Sequence, residues 1–469
     1  MSATRQALSL VLFLMTLIAA AAGSQTEYVL GVYGNANLDH TIDDLDLKLL
    51  EEIIAGQAQP TELSDANLDG TVDGEDLKQV KMVINDSEDQ ISIRDGNGQP
   101  LTIKKPVSRI VVEYLDNAEM MEILGADDLV VGVDLAVSKA PAEFPDLCKK
   151  ENVGAMYREP DYEKILSLNP DMLLTFSNQT AEKQKNLPEV TVLFAGLYYP
   201  DLLDPWKSAF TDGVMKLGYV LDREESARGY VDWHAGTIEK LISRAASLPD
   251  EAKPTVLVAA LPDTSEKAIF TYAKVDTLSQ MVALAGGRSA ARSLPEYPQS
   301  SYRFQVDPEW VMEQDPDYII LLTVPITYSG LVLEPQSGYG IDSPDGMKDA
   351  LDQFCNRTEF SQLNAVKGGR VHIVSGSLRN DATKGLLGAA YLARILYPEL
   401  DLDPEALHRQ YLEDFLGLDL DLDEHGVFVY PPIILGQGRL AGIPDRHFAS
   451  HLASQEAAAK TEGSAAMQS

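Results

Sequence analysis

Two short acidic loops near the start of the chain carry side-chain oxygens at a spacing that could hold a hard cation. Ca²⁺ takes 6 to 8 oxygen ligands, and loops that bind it supply them from positions 1, 3, 5, 7, 9 and 12, with a backbone carbonyl at position 7. The second loop repeats the first at an offset of 30 residues (65 − 35 and 76 − 46). Each loop is therefore predicted to bind one calcium ion. The predicted ligands are Asn35, Asn37, Asp39, Thr41, Asp43 and Asp46 in the first loop and Asp65, Asn67, Asp69, Thr71, Asp73 and Asp76 in the second.

The two loops are not equivalent. Asn35 supplies no charge where the second loop has Asp65, and His40 stands where Gly70 turns the second loop. Because charged ligands strengthen calcium binding and glycine turns without strain, we expect the first site to be the weaker one. Each loop runs into a segment with helical apolar spacing, which predicts a loop–helix unit repeated twice. Two acidic turns without a metal are the alternative.

Residues 30–88 resemble the dockerin family, whose paired loop–helix repeats lack the entering helix of an EF-hand and close the loop with Asp. The resemblance implies a small all-α calcium-binding N-terminal domain, with a core of its own, that could tether the chain to a cohesin. Dockerins face the cohesin with loop positions 10 and 11, here Asp44-Leu45 and Gly74-Glu75. These pairs differ from each other and from the usual hydroxyl-bearing pattern, so the existence of a cohesin partner stays open.

The chain is strongly acidic. Its 469 residues include 38 basic and 72 acidic side chains, which give a net charge of −34. Such a charge repels phosphate backbones, so nucleic acid is not an expected partner. A content of 45% hydrophobic and 23% charged residues is typical of folded protein.

Residues 1–23 are predicted to be an export signal, because Arg5 precedes an uncharged apolar run that ends on small residues. The protein is therefore expected at the extracellular face of the cell membrane or in the periplasm, either soluble or anchored by an uncleaved signal. For the two cysteines, Cys148 and Cys355, two states stay open: buried free thiols, or one disulfide between distant parts of the chain.

Strands and helices alternate after residue 91. A predicted hairpin around residues 95–98 is followed by apolar segments at 106–114, 130–133, 172–176 and 190–194, which predict a parallel sheet with helices on its faces. Residues 161–174 recur at 307–320, an offset of 146 (309 − 163 and 317 − 171). In each copy a helix stops at Asn/Asp-Pro, because proline cannot continue it, and a strand follows. The fold class is therefore α/β, with two similar lobes.

The sequence divides this part of the chain into four segments. Residues 91–205 are assigned to lobe 1 and residues 253–440 to lobe 2. Between them, residues 206–247 are assigned to an interlobe helix; their apolar spacing fits one or two long helices, and a helical span here would limit rotation of the lobes. The tail at 441–469, rich in Ala, Ser and Glu, is expected to be disordered.

Six segments resemble the periplasmic-binding family for ferric siderophores, haem and cobalamin, and they occur in family order between residues 91 and 415. They are residues 106–112, residues 124–133, the two Asn/Asp-Pro-Asp helices, residues 363–371 and residues 392–398. The resemblance implies a class III periplasmic-binding fold, in which a long helix joins two α/β lobes. It implies the substrate-binding component of an ABC importer, not an enzyme, and a ferric siderophore or related iron chelate as the ligand.

A cleft between two such lobes is lined by the loops that follow strands. Tyrosines offer flat apolar faces with a hydroxyl, and arginines pair with carboxylate-like oxygens, which suits a bulky, partly anionic chelate. Bare transition-metal binding is a weaker alternative, because the histidines show no paired ligand spacing. The candidates for ligand contact are Tyr114, Tyr157, Arg158, Tyr198, Tyr272, Tyr302, Arg303 and Arg379.

Members of this family dock on their permease through one acidic residue per lobe, near the start of the repeated helix. The matching positions are Glu163 and Glu309. The resemblance therefore implies that these carboxylates meet the two subunits of an ABC permease dimer. An ordinary solvated helix carboxylate is the alternative for each.

Three other functions stay open. Dockerins often carry secreted polysaccharide-degrading enzymes, although the sequence has no nucleophile elbow, zincin motif or phosphate loop. A cobalamin or haem binder of the same fold is the second alternative. A cell-surface protein that has lost its ligand is the third.

Overall fold

The structure is a computed structural model that describes residues 28–155, 159–198, 200–261, 269–300, 302–323, 337–379, 383–436 and 438–453. The predicted export signal at 1–23 lies outside these ranges. Within them, no helix combines the length and the apolar character that crossing a membrane requires.

The N-terminal part folds as two loop–helix units. Its helices, α1 (Asp44–Ile54) and α2 (Gly74–Ile84), pack against each other. In α1, the Asp43 carboxylate accepts a hydrogen bond from the first turn, and Asp46 accepts one from the backbone N–H of Asp43. Asp73 and Asp76 do the same for α2. This reciprocal cap explains why both helices start at the same loop position.

Lobe 1 contains a five-stranded parallel sheet with helices between its strands. An antiparallel hairpin, β1 (Gln90–Arg94) and β2 (Pro100–Lys104), precedes the sheet. The sheet strands are β3 (Ile110–Val112), β4 (Val130–Val133), β5 (Glu151–Asn152), β6 (Met172–Leu174) and β7 (Thr191–Leu193). The helices are α3 (Leu115–Ile123), α4 (Leu135–Ser138), α5 (Tyr162–Ser167) and α6 (Thr180–Asn186). The strand order is β5-β4-β3-β6-β7, so the predicted hairpin and parallel sheet are confirmed.

Lobe 2 contains a mixed sheet of seven strands. They are β8 (Thr255–Ala260), β9 (Ile269–Tyr272), β10 (Arg288–Ser289), β11 (Arg303–Val306), β12 (Tyr318–Leu322), β13 (Val371–Val374) and β14 (Val429–Tyr430). The order is β11-β9-β8-β12-β13-β14, with β10 parallel beside β8. β9 runs against β8 and β11, and β14 runs against β13. Only residues 261–268 join β8 to β9, too few for the crossover helix that a parallel pair needs.

The helices of lobe 2 flank this sheet. They are α9 (Thr277–Leu284), α10 (Glu296–Gln299), α11 (Pro308–Gln314), α12 (Asp345–Cys355), α13 (Asn364–Lys367), α14 (Gly376–Arg379), α15 (Gly385–Leu396) and α16 (Pro404–Gln410). α16 continues into a short π-helix at Tyr411–Phe415.

Two helices connect the lobes, which is one of the two arrangements that the apolar spacing allowed. They are α7 (Ala209–Leu221) and α8 (Glu224–Ser247), and the left-handed backbone of Asp222 (φ +55°) ends α7. α8 packs against α3 of lobe 1 and against α9 and α15 of lobe 2. The longer helix therefore bridges the two lobes.

The segment that recurs at an offset of 146 residues has the same backbone conformation in both lobes. Asn169 and Asp315 each take up a left-handed conformation (φ +46° and +39°) between a repeated helix and its proline. Asp171 and Asp317 then each accept a backbone hydrogen bond from the start of a neighbouring strand, from Ser108 N and Thr255 N. Both lobes thus end the helix and anchor the next strand in the same way.

One hydrophobic cluster extends through the N-terminal part and both lobes. Leu30, Val32 and Val80 belong to the same buried cluster as Ile91 and many buried residues of both lobes. The expectation of a separate N-terminal core is therefore wrong. Apolar residues of both parts pack against each other. This contact joins distant segments, so the spacing of residues along the chain could not predict it.

Hydrogen bonds reinforce this junction. Gly31 N donates to Asp212 Oδ1 (2.7 Å), and Ile42 N donates to the Tyr219 hydroxyl (3.1 Å). Asp212 and Tyr219 both lie on α7, so the first loop and the segment before it are fixed to an interlobe helix.

The expected disorder from residue 441 is wrong for residues 441–453. β15 (Ile433–Gly436) pairs with β16 (Arg439–Ala441), and Leu440 and Ile443 are buried in a core of lobe 2. Within the tail itself, Ala441 and Ile443 are buried, and their burial orders this stretch despite the polar composition around it. Residues 454–469 lie outside the described residues.

The two cysteines are free thiols. Cys148 lies in lobe 1 and Cys355 ends α12 in lobe 2, and both are half-buried. Of the two predicted states, the structure has the free thiols, but neither is fully buried.

Candidate functional site

Three aromatic rings lie together at one edge of the lobe 1 sheet. Tyr114 and Phe176 come shortly after β3 and β6, and Tyr198 follows β7. The ring centroids are 4.5 Å apart for Tyr114 and Phe176, 4.3 Å for Phe176 and Tyr198, and 6.3 Å for Tyr114 and Tyr198. Because the carboxyl ends of parallel strands meet at one edge, distant segments converge here. We call these three half-buried residues the aromatic wall.

Phe176 was missed as a site residue. The apolar run 172–176 predicts a strand that ends at Phe176, whereas β6 stops at Leu174. An aromatic residue two positions beyond a parallel strand was the signal that could have identified it.

Four predicted contact residues come together in lobe 2, and we call them the tyrosine–arginine cluster. The rings of Tyr272 and Tyr302 are 5.8 Å apart. The guanidinium carbon of Arg379 lies 5.6 Å and 5.4 Å from these two ring centroids, and that of Arg303 lies 5.5 Å from Tyr302. Tyr272 ends β9, and Arg303, which begins β11, pairs with it in register. The antiparallel edge of the sheet therefore supplies Tyr272, Tyr302 and Arg303, whereas Arg379 ends α14, the helix that follows parallel strand β13.

The two arginines of the cluster differ in accessibility. Arg379 is buried, and its Nη2 donates to Asp276 Oδ2 at 2.5 Å and its Nε to Oδ1 at 3.3 Å, so its charge is already compensated. Arg303 is exposed and pairs with no carboxylate among the described residues. An anionic ligand would therefore meet the charge of Arg303 first.

The tyrosines differ in the same way. Tyr272 is fully buried, and burial raises the pKa of its hydroxyl above the ordinary value. Tyr302 is half-buried. Tyr302 and Arg303 are thus the members of the cluster that a ligand can reach.

Gln280 links the segment that follows the aromatic wall to α9, the helix that begins beside the tyrosine–arginine cluster. Gln280 on α9 accepts a hydrogen bond from Leu202 N (2.7 Å) and donates to Pro200 O (3.1 Å). Asp276, the N-cap of α9, holds Arg379. The chain just after Tyr198 is therefore fixed to the helix whose start anchors the tyrosine–arginine cluster.

Two predicted contact residues, Tyr157 and Arg158, lie outside the described residues. For Tyr114, Tyr198, Tyr272, Tyr302, Arg303 and Arg379 the structure gives the position described above, and ligand contact stays a prediction.

The acidic loops fold alike at their closing residue. Asp46 and Asp76 are fully buried. Asp46 accepts hydrogen bonds from Asn37 N (3.0 Å) and Asp43 N (2.9 Å), and Asp76 accepts them from Ala66 N (2.7 Å) and Asp73 N (2.8 Å). These bonds fold each loop back on the acid at position 12.

The donor set fits a hard cation. Each loop assembles carboxylate and amide oxygens, the ligands that Ca²⁺ prefers. Burial raises the pKa of Asp46 to about 6 and that of Asp76 above its ordinary value. Neither carboxylate has a cationic side chain as an ion-pair partner among the described residues. A cation in the loop would compensate both buried charges.

One argument for a weaker first site is wrong. Leu38 and Leu68 are left-handed at position 4 of both loops, and Gly70 is left-handed at position 6 (φ +91°), but His40 is not. The first loop therefore takes a different path at position 6 and strains no histidine there. The uncharged Asn35 is the remaining reason to expect weaker binding.

Glu163 and Glu309 occupy equivalent places in the two lobes. Each lies in the first turn of its helix, α5 or α11, where a carboxylate interacts favourably with the helix dipole. Both are exposed, and neither forms an ion pair with a described residue. Their carboxylates are free to meet a partner.

The structure also brings together three carboxylates that the sequence analysis did not select. Oxygens of Asp86, Asp222 and Glu224 lie within 4.8 Å of one another. Lys105 pairs with Asp222 and with Glu88, so its ammonium already offsets part of this negative charge. The group joins the N-terminal part to the start of α8.

Comparison with known proteins agrees with this architecture. The solved structure of the TroA-like periplasmic binding protein FepB from Veillonella parvula superposes with a TM-score of 0.57 at 19% identity, covering 72% of this chain and 98% of that one. The uncharacterized ABC transporter substrate-binding lipoprotein YvrC of Bacillus subtilis is 24% identical over 65% of this chain and 84% of its own length. The petrobactin-binding protein YclQ of the same organism is 20% identical over 57% and 75%.

A family model described as periplasmic binding protein matches residues 110–376, from the first strand of the lobe 1 sheet to the start of α14. This match spans more than half of the 469 residues and includes both copies of the 146-residue repeat. The chain belongs to the periplasmic binding protein family.

Proposed function

We propose that the protein captures an iron complex, a ferric siderophore or related chelate, outside the cytoplasm and delivers it to an ABC permease. The observation that carries the proposal is the presence of an aromatic wall at the strand ends of lobe 1 and of accessible Tyr302 and Arg303 in lobe 2. Flat rings suit the organic shell of a chelate, and a guanidinium suits its anionic oxygens. One relative, YclQ, is named as a petrobactin-binding protein, which supports the same ligand class.

Ligand capture predicts a stability gain that a melting experiment can measure. Ferric petrobactin at 100 times its Kd should stabilise the chain by about 2.7 kcal/mol, because it binds only the folded state. Haem, cobalamin and a cello-oligosaccharide, tested alongside, represent the other ligand classes. Arg303→Met should weaken binding of the active chelate about tenfold, as expected for loss of a charge-assisted hydrogen bond.

The control is Arg292→Met, which removes the same charge from an exposed position elsewhere in lobe 2. It should leave the affinity unchanged. A melting shift with the oligosaccharide alone would contradict the proposal and favour a polysaccharide-binding role.

Calcium binding by the two loops is the second part of the proposal. Isothermal titration of the chelator-treated full chain should give two calcium ions, and Asp69→Ala should give one, because position 5 of the second loop loses its carboxylate. Glu75→Ala is the matched control, since this exposed acid lies in the same loop but pairs with Lys78. Absence of any calcium heat from the wild type would refute this part.

A cohesin tether is the third part of the proposal. Asp44, Leu45, Gly74 and Glu75, at positions 10 and 11 of the loops, are all exposed, and Leu45 is 59% exposed despite being apolar. Surface plasmon resonance against immobilised cohesins, in calcium and then in chelator, tests the tether. Binding that is independent of calcium, or no binding, would contradict it.

A further inference from the structure

The aromatic wall contains a strained residue. Tyr114 has φ +77° and ψ 159°, a backbone region that is almost exclusive to glycine. It is the N-cap of α3, yet its side chain makes no capping hydrogen bond. A residue keeps such a conformation only when its surroundings enforce it.

The enforcing contacts come from the residues just before the rings. Glu113 precedes Tyr114, and Thr175 precedes Phe176. The Lys183 ammonium, on α6, donates to Glu113 Oε1 at 2.6 Å, to Glu113 Oε2, and to Thr175 Oγ1 at 2.9 Å. Thr175 Oγ1 in turn donates to Glu113 Oε2 at 2.6 Å. One ammonium thus ties together the ends of β3 and β6.

All three members of this network are buried. Glu113 and Thr175 are each 1% exposed and Lys183 is 8% exposed. Backbone hydrogen bonds also restrain Glu113 and Thr175, because Glu113 N donates to Leu174 O and Thr175 N donates to Leu193 O. A buried ion pair is a poor source of net stability, since desolvating two charges offsets most of their attraction. Its effect is to specify geometry, here the relative position of the two strand ends.

We propose that Lys183 is a positioning residue for ligand capture, which holds Tyr114 and Phe176 in register to form the aromatic wall. Lys183 touches neither ring and acts through Glu113 and Thr175. The expected effect on ligand affinity rests on the proposed function. The conformational order of the two rings can be measured without a ligand. Without the ammonium, the Tyr114 backbone relaxes and the wall must be ordered by the ligand at a cost in affinity.

Three variants separate positioning from folding. Lys183→Met removes the ammonium and leaves Glu113 as a buried, unpaired charge. The double variant Glu113→Gln/Lys183→Met also removes that charge, so it should recover most of the lost stability. Lys185→Met is the matched control, an exposed lysine on the same helix.

Two measurements follow on each full-length variant. The ¹⁹F resonance of 3-fluorotyrosine at position 114, without ligand, should broaden or shift in both Lys183 variants and not in Lys185→Met. The affinity for ferric petrobactin should fall about tenfold in the double variant even though its melting temperature recovers. A merely structural role predicts that affinity returns with stability.

The proposal is overturned if the double variant keeps a wild-type ¹⁹F signal or regains wild-type affinity. If the wild type itself does not bind ferric petrobactin, the proposed ligand is wrong. The ¹⁹F signal alone then decides whether Lys183 positions the aromatic wall.

Discussion

Replacing Lys384 by methionine is expected to lower the free energy of unfolding by about 3–5 kcal/mol. Lys384 lies just before α15 in lobe 2 and is fully buried. Its ammonium pairs with Glu119 on α3 and lies 2.9 Å from Glu143 Oε2, both carboxylates belonging to lobe 1. The neighbouring Thr383 hydroxyl also donates to Glu119. Methionine would leave Glu119 as a buried, unpaired charge at the boundary of the lobes.

The ammonium is charged in this environment. Burial alone would lower the pKa of Lys384, but the two carboxylates outweigh it and raise the pKa well above its ordinary value. The Tyr339 ring, 4.9 Å from the ammonium, adds a cation–π contact from lobe 2. The pair therefore acts as a latch between the lobes.

Urea unfolding measures the effect, with two variants for comparison. Glu119→Gln/Lys384→Met should recover most of the loss, because it removes both buried charges of the closest pair. Lys348→Met breaks an exposed pair with Asp352 and should cost no more than about 1 kcal/mol. A Lys384→Met chain as stable as the Lys348→Met chain would rule out the latch.

Reversing both Glu163 and Glu309 to lysine is expected to abolish uptake while ligand affinity stays unchanged. The two carboxylates occupy the first turns of the repeated helices and are exposed. A permease dimer presents two similar binding sites, one on each subunit, and the two carboxylates related by the pseudo-twofold repeat can bind one site each. Each single reversal should be partial, since an exposed ion pair contributes about 0–1 kcal/mol unless an interface desolvates it.

Transport into proteoliposomes that contain the cognate permease is the measurement. The matched control is Glu182→Lys/Glu313→Lys, which makes the same change of charge at one exposed position in each lobe. Normal uptake by Glu163→Lys/Glu309→Lys, or equal loss in the control, would remove these residues from the docking surface.

Much of the fold could be predicted from local pattern. The apolar runs at β3, β4, β6 and β7, and the turn before β2, are short-range signals that the structure confirms. The Asn/Asp-Pro stops were readable because proline ends a helix in any context. The position of the break at Asp222 was not predictable, because neither Asp222 nor either of its direct neighbours is a proline or glycine.

The candidate site was less predictable. Choosing tyrosines and arginines after strands found Tyr114 and Tyr198, which topology brings to one edge. The same rule selected both Arg303 and Arg379, and it could not show that Asp276, more than a hundred residues before Arg379, compensates the charge of Arg379. Burial and ion pairing depend on contacts between distant segments, which spacing along one segment does not contain.

The sequence by itself determined the two loop–helix repeats, the two α/β lobes and the equivalence of Glu163 and Glu309, because each follows from local residue types recurring at a constant offset. Only the tertiary structure decided that the N-terminal part shares its core with the lobes, that Lys384 bridges them, and that Lys183 ties β3 to β6. These features arise from side chains that meet across long stretches of chain. Their energies depend on burial, which exists only once the fold has formed.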